Sequence, residues 1–150
     1  MAEQRPNPYS HFNFIVLIDG QEVAAFSEIS GLDSENTPIE YREGADATNS
    51  VRKLPGMEKY SNVMLKRGIT GSLTLWNWRK EARDSTSTIP PRKEVTIKLL
   101  NEKGDRNKPG MTFKLRNAWP MKITGPTFNA KGNEIAIEQL DLAHERLDIE

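Results

Sequence analysis

The sequence predicts a mainly β, antiparallel fold with one helix packed against it. Three observations carry that reading. Residues 94–99 and 111–116 alternate apolar and polar side chains, with Val95, Ile97 and Leu99 on one face and Met111, Phe113 and Leu115 on the other strand's equivalent. Asp19-Gly20 closes an earlier alternating run with the residues a type I′ hairpin turn needs. Only residues 72–83 change period, as Leu75, Trp78, Arg79 and Ala82 follow i, i+3, i+4 and i+7.

Taken in order, residues 11–18 set Phe12, Phe14, Val16 and Ile18 on one face, and Ile15 and Leu17 on the other suggest cover on both sides. After Asp19-Gly20 a strand over 23–29 is expected to return beside the first. Residues 33–56 are rich in turn formers, with Ile39, Tyr41, Val51 and Leu54 as apolar anchors. An excursion of that length inside a compact domain is uncommon unless it works or moves. It is read as an arm reaching a neighbour, with at most a short strand at 39–42. Residues 59–67 read as one strand before Gly68. The helix at 72–83 turns Leu75, Trp78 and Ala82 inward, with Leu73 and Trp76 flanking. A Ser/Thr/Pro linker over 84–91 leads into the 94–100 and 111–117 hairpin. Strands at 119–128 and 134–147 complete the domain. In the last, the apolar phase shifts from Ile135 and Ile137 to Leu140 and Leu142, which predicts a β-bulge near Gln139.

The chain has 150 residues, which suits one domain, and 36% of them are hydrophobic. It has no cysteine, so a disulfide scaffold, a thiolate metal site and a cysteine nucleophile are excluded. The longest apolar run is Phe14 to Ile18, far short of the ~20 residues of a spanning helix, so no membrane insertion is expected. The opening residues have no apolar signal core, and synthesis in the cytoplasm is expected.

Lys and Arg number 21, as do Asp and Glu, so the net charge is zero. The zero conceals segregation. Residues 1–50 hold 2 basic and 9 acidic residues, residues 51–131 hold 18 and 6, and residues 132–150 hold 1 and 6. Such a chain can satisfy its charges internally or dock head to tail on copies of itself. Geometry decides between the two.

Chemistry-bearing motifs are sparse. Gly68-Ile69-Thr70-Gly71-Ser72 lacks the lysine of a phosphate-binding loop, and His11 and His144 have no metal-ligand spacing. No cofactor is implied. Glu138, Asp141 and His144-Glu145 could supply acid–base chemistry, but strand alternation puts Glu138 and Asp141 on opposite faces unless the bulge rephases them. Basic residues interleave with Trp76, Trp78 and Trp119 as on a single-strand-binding surface, yet the helical phase turns the tryptophans inward.

Residues 49–68, with Lys53-Leu54-Pro55-Gly56, Lys59-Tyr60 and Leu65-Lys66-Arg67-Gly68, resemble a signature of the tail tube proteins of contractile-tailed phages and contractile injection systems. So do Ala118-Trp119-Pro120 through Gly125-Pro126, Asn133 to Glu138 with Leu142-Ala143-His144-Glu145, and Phe12-Asn13-Phe14 with Ser30-Gly31-Leu32. Arg146 departs from the glycine often found after the His-Glu pair.

The resemblance implies a non-catalytic subunit of a single tail-tube domain, 1–150. Two packed antiparallel sheets would form a barrel-like body with a flanking α-helix and a long inter-subunit arm, 33–56. Homo-hexameric rings would stack into a hollow tube inside a contractile sheath, with a baseplate or spike hub and a tube terminator as partners. A protein toxin or DNA would be the payload, within a phage tail or an injection particle. Inter-subunit contacts are expected at Glu35, Glu40, Glu43, Asp46, Arg52, Lys53, Lys66 and Arg67. Lys98, Lys114 and Arg116 are expected to face the lumen. Two rivals remain, a ring-forming effector carrier of a related secretion system and a ligand-binding or sugar-processing β-sandwich.

Overall fold

A computed structural model describes all residues except 1–6, 11–12, 24–25, 46, 48, 85–91, 106 and 108. The expectations for His11, Phe12, Asp46 and most of the 84–91 linker therefore lie outside the described residues. The elements are β1 (Phe14–Ile18), β2 (Gln21–Val23), β3 (Phe26–Ser30), β4 (Ser34–Tyr41), β5 (Arg52–Tyr60), β6 (Val63–Gly68), α1 (Thr74–Asp84), β7 (Lys93–Leu99), β8 (Met111–Thr124), β9 (Ile137–Ala143) and β10 (Arg146–Ile149).

Every pairing is antiparallel. One sheet runs β2-β1-β7-β8-β9-β6-β3 with β10 on β8, and β4-β5 stand apart as a second. The path ends at β2 and β3, and no closed barrel is found among the described residues.

Asp19 and Gly20 both take positive φ, 56° and 82°, as a type I′ turn demands. Of the return strand expected over 23–29, Val23 pairs with β1 together with Gln21 and Glu22 among the described residues. The chain then crosses over, and β3 pairs with β6, where Glu28 meets Lys66 at 3.3 Å and Phe26 lies 6.0 Å beneath the Arg67 guanidinium.

The strands expected at 111–117 and 119–128 are one strand of 14 residues, β8. Its first half pairs with β7 and β10, its second with β9. It serves both through two bulges. One accompanies Asn117, whose φ of 53° is a left-handed conformation that asparagine tolerates; the other inserts Met121 between Pro120 and Lys122. The bulge expected near Gln139 is absent. β9 keeps unbroken register with β6, and Glu138, Leu140 and Leu142 form its buried row. The apolar phase slips in the sequence because a glutamate, not an isoleucine, holds the first core position.

The core gathers Val16, Ile18, Val95, Ile97 and Leu115 from one half of the sheet, Val63, Leu65, Leu140 and Leu142 from the other, and Leu75 and Trp78 from α1. Leu75 and Trp78 are buried and Ala82 half-buried, as the helical period predicts. Burying such side chains stabilises the body by about 1.5–3 kcal/mol each.

The 33–56 segment differs most from expectation. It forms a β-hairpin extending to Tyr60, with every residue of β4 exposed and only Gly56 and Tyr60 of β5 half-buried. The strand expected at 59–67 is consequently two, parted at Ser61-Asn62. The hairpin supplies its own hydrogen-bond ladder and pairs Ile39 with Leu54, Glu35 with Lys59 and Glu40 with Lys53 across it. Its turn formers are not confined to the tip: Asn36, Thr37 and Pro38 lie in β4 and Pro55-Gly56 in β5, at a register shift between Asn36 and Pro38.

Candidate assembly surfaces

The hairpin is held at its root. Gly31 has φ +89°, and a Cβ there would lie 2.2 Å from the Asn62 carbonyl oxygen, so the chain entering β4 touches the chain leaving β5. Beside this contact His144 Nε2 bonds the Ser61 carbonyl at 3.0 Å and its ring lies 5.5 Å from that of Tyr60. His144 is thus structural. Partial desolvation, then the Glu58 carboxylate, raises the Tyr60 phenol above its ordinary pKa.

Beyond the root, pleating places Ile39, Tyr41 and Leu54 on one face, at 54%, 46% and 48% exposure, with Arg52 opposite Tyr41. A hairpin exposing a cross-strand aliphatic pair to water keeps that area available for burial. Glu35, Glu40 and Lys53 lie in cross-strand pairs within the arm, and Glu43 accepts a hydrogen bond from the Tyr41 hydroxyl at 3.1 Å.

Arg67 belongs elsewhere. Its side chain is buried, and its Nε meets Glu138 Oε1 at 2.5 Å while Nη2 donates to the Ser72 carbonyl at 3.1 Å. Trp76 Nε1 donates to the other Glu138 oxygen at 2.6 Å. Strand β6, strand β9 and the start of α1 are tied together there, so an inter-subunit contact through the Arg67 side chain is replaced by an internal one. Lys66, its neighbour on the opposite face, is engaged with Glu28.

The outer face of β7, β8 and β10 is an ion-paired mosaic. Asp148 accepts from Arg116 at 3.0 Å and from Arg146 at 2.8 Å, which reconciles two arginines standing directly opposite each other in register. Arg116 also pairs with Glu94, and Lys114 meets Glu150 at 3.0 Å. Hydrogen bonds from Arg116, with Arg146 assisting, hold the Asp148 carboxyl below its ordinary range, and Asp148 and then Glu94 raise Arg116. Glu145 is lowered by Asn117, which donates at 2.8 Å, and by its ion pair with Arg92. Lys98 shares this face, opposite Ile15 and Thr112. Arg146 opens β10 without positive φ, so the glycine it stands in for is not needed here.

Sequence reasoning named the apolar anchors Ile39 and Leu54 but not their pairing, and it missed the bend at Asn117. An asparagine in mid-strand was the available signal for the latter.

The profile of the family described as T4-like virus tail tube protein gp19 matches residues 10–148. No curated protein matches the chain. Among solved structures, a chain of the sheath-tube complex of an extracellular contractile injection system, PVC, in the extended state is 29% identical with TM-score 0.83, over 97% of this chain and 93% of that one. A chain of the anti-feeding prophage cap, the AFP tube terminating cap, is 30% identical with TM-score 0.83, over 100% and 94%. Hcp1 from Flavobacterium johnsoniae shares the fold, with TM-score 0.62 and 16% identity over 92% and 94%. The match takes in nearly the whole β body, helix and arm, and the chain belongs to the tail tube protein family, structural and non-enzymatic tube components of contractile injection systems.

Proposed function

We propose that the chain, as one tail-tube domain, assembles into six-membered rings that stack as the inner tube of a contractile particle. The observation that carries this reading is the β4–β5 arm, a rooted hairpin with an exposed apolar face that its own body does not cover. An arm on one copy and an acceptor surface on the next make a heterologous contact, which closes into a ring sideways and stays open along an axis. The six-fold count follows the family resemblance. Glu35, Glu40, Glu43, Asp46, Arg52, Lys53 and Lys66 remain the proposed contact residues of the arm and its root.

The ion-paired face with Lys98, Lys114 and Arg116 is the proposed lumen wall. Opposite charges matched at close range leave little net field to hold a passing payload, whether toxin or DNA. A surrounding sheath and a terminating cap are the proposed partners, as the likeness to chains of a sheath-tube complex and of a tube cap supports. Contraction of the sheath would drive a rigid tube, and the subunit itself performs no chemistry. The likeness to Hcp1 concerns the fold, so an effector-carrying ring is the second reading.

Negative-stain microscopy of the purified protein tests the first. Rings or tubes of six-fold symmetry are expected. A monomer that persists across conditions and with sheath and baseplate partners present would overturn it, and rings that never stack would favour the carrier.

A further inference from the structure

We infer that the groove between α1 and the second half of β8 docks an acidic segment of another protein, with an apolar side chain at the centre of that segment. The inference does not depend on how copies of the chain assemble. Trp76, Met121 and Ile123 form the floor of this groove of about 270 Å³, and Arg79, Lys80, Arg83 and Lys122 form its rim. The floor is built into the fold. Trp76 Nε1 donates to Glu138, which fixes the indole, and its Cη2 lies against the end of β8, 3.9 Å from where a Cβ on Gly125 would stand. The bulge that inserts Met121 between Pro120 and Lys122 supplies the facing wall. Trp76 and Met121 remain exposed and Ile123 half-buried, so the floor keeps apolar area that a partner would remove from water.

The rim is a cationic cluster that the subunit leaves largely unanswered. Elsewhere Arg67, Arg92, Arg116, Arg146, Lys66 and Lys114 each reach a carboxylate of the same chain. On the rim, among the described residues, only Arg83 forms an ion pair, with Asp84 at 3.1 Å, and Lys80 acts on that same carboxylate from a distance. Asp141 stands opposite Lys122 in register but accepts from Gln139, and Glu81 lies about 140° around the helix axis from Trp76. Arg79 and Arg83, one turn apart on the same face, repel each other. Charge complementarity selects the occupant: cations around an apolar centre match carboxylates around an apolar anchor. A second copy has few carboxylates to bring. In its acidic C-terminal segment Glu138, Glu145, Asp148 and Glu150 are already paired, and on the arm Glu35 and Glu40 face Lys59 and Lys53. A phosphate backbone would use the rim alone and leave the floor wet.

The test follows the fluorescence anisotropy of a labelled peptide, in which glutamates flank a leucine–phenylalanine pair, on addition of the full chain. Saturable binding that weakens with added salt is expected. Arg79→Gln with Lys122→Gln is expected to weaken it roughly fivefold or more, and Met121→Ser to weaken it as well, both with the melting temperature unchanged. Trp76 is left intact because it also holds Glu138. Peptides carrying glutamine for glutamate, or serine for the apolar pair, are expected to bind several-fold more weakly. Equal affinity in the Arg79→Gln, Lys122→Gln variant, or for the serine peptide, would overturn the site. Tighter binding of oligothymidylate, lost in the same variant, would assign the groove to nucleic acid and overturn it as a protein-docking site. Peptide binding that disappears once subunits are assembled into particles would assign it to a contact between copies and overturn it equally.

Discussion

Arg67 and Glu138 meet 71 residues apart in the chain, both almost fully buried, and each saturates the other with help from Ser72 and Trp76. Removing one partner strands a charge in the core. Arg67→Met is expected to lower unfolding free energy by about 3–5 kcal/mol in urea titrations, and Arg67→Met with Glu138→Leu to recover a large part of it. The broken alternation at Glu138 reads in the sequence as a bulge, where the structure has a buried charge in unbroken register. The cation that makes that burial tolerable comes from another strand, so no local pattern could reveal it. Asp148 and Glu145 act in the opposite setting, at the surface. Arg116 lowers the first and Asn117 the second, so the unfolded chain binds protons at higher pH than the folded one. Their stabilisation is complete above the ordinary carboxylate range and is lost as pH falls through the folded values. Thermal melting is expected to drop below about pH 4, with a shallower acid fall in Asp148→Asn.

Among the elements, the arm shows how a turn-rich composition can still form strands. Asn36-Thr37-Pro38 and Pro55-Gly56 are taken into the strands at a register shift, while opposite charges and the Ile39–Leu54 pair zip its length. That zipping alters what charge reversal would mean: Glu40→Lys sets like charges across from Lys53 and weakens the hairpin by roughly 0.2–1 kcal/mol before any neighbour is involved. Ile39→Ser with Leu54→Ser isolates the assembly role better. Because both are exposed, stability is expected to move by less than about 0.5 kcal/mol per site while particle formation is lost, as melting and microscopy on the same sample would show. The root is tested separately. Gly31→Ala combines a φ of +89° with a Cβ 2.2 Å from the Asn62 carbonyl oxygen, and it is expected to cost more than ~1 kcal/mol and to open the arm to limited proteolysis.

For the whole molecule, the charge segregation of the sequence is largely answered inside one subunit. The acidic end reaches the basic middle through Glu138–Arg67, Glu145–Arg92, Asp148–Arg116 and Glu150–Lys114, and Glu28 meets Lys66. Neutrality therefore argues less for self-assembly than the raw segment charges imply, and the exposed apolar face of the arm argues more. The sequence by itself determined the β class, the single helix with its buried Leu75 and Trp78, the Asp19-Gly20 turn, the central hairpin and, through its motifs, the tail tube family. Each of those is written in spacing over a few residues, or in residue identity. Only the tertiary structure decided that β8 bends to serve both halves, that β3 pairs with β6, that Arg67 turns inward and that the arm is a hairpin. Each of these depends on a partner distant in sequence, and strand pairing and burial of charge are energies of contact, which local periodicity does not record.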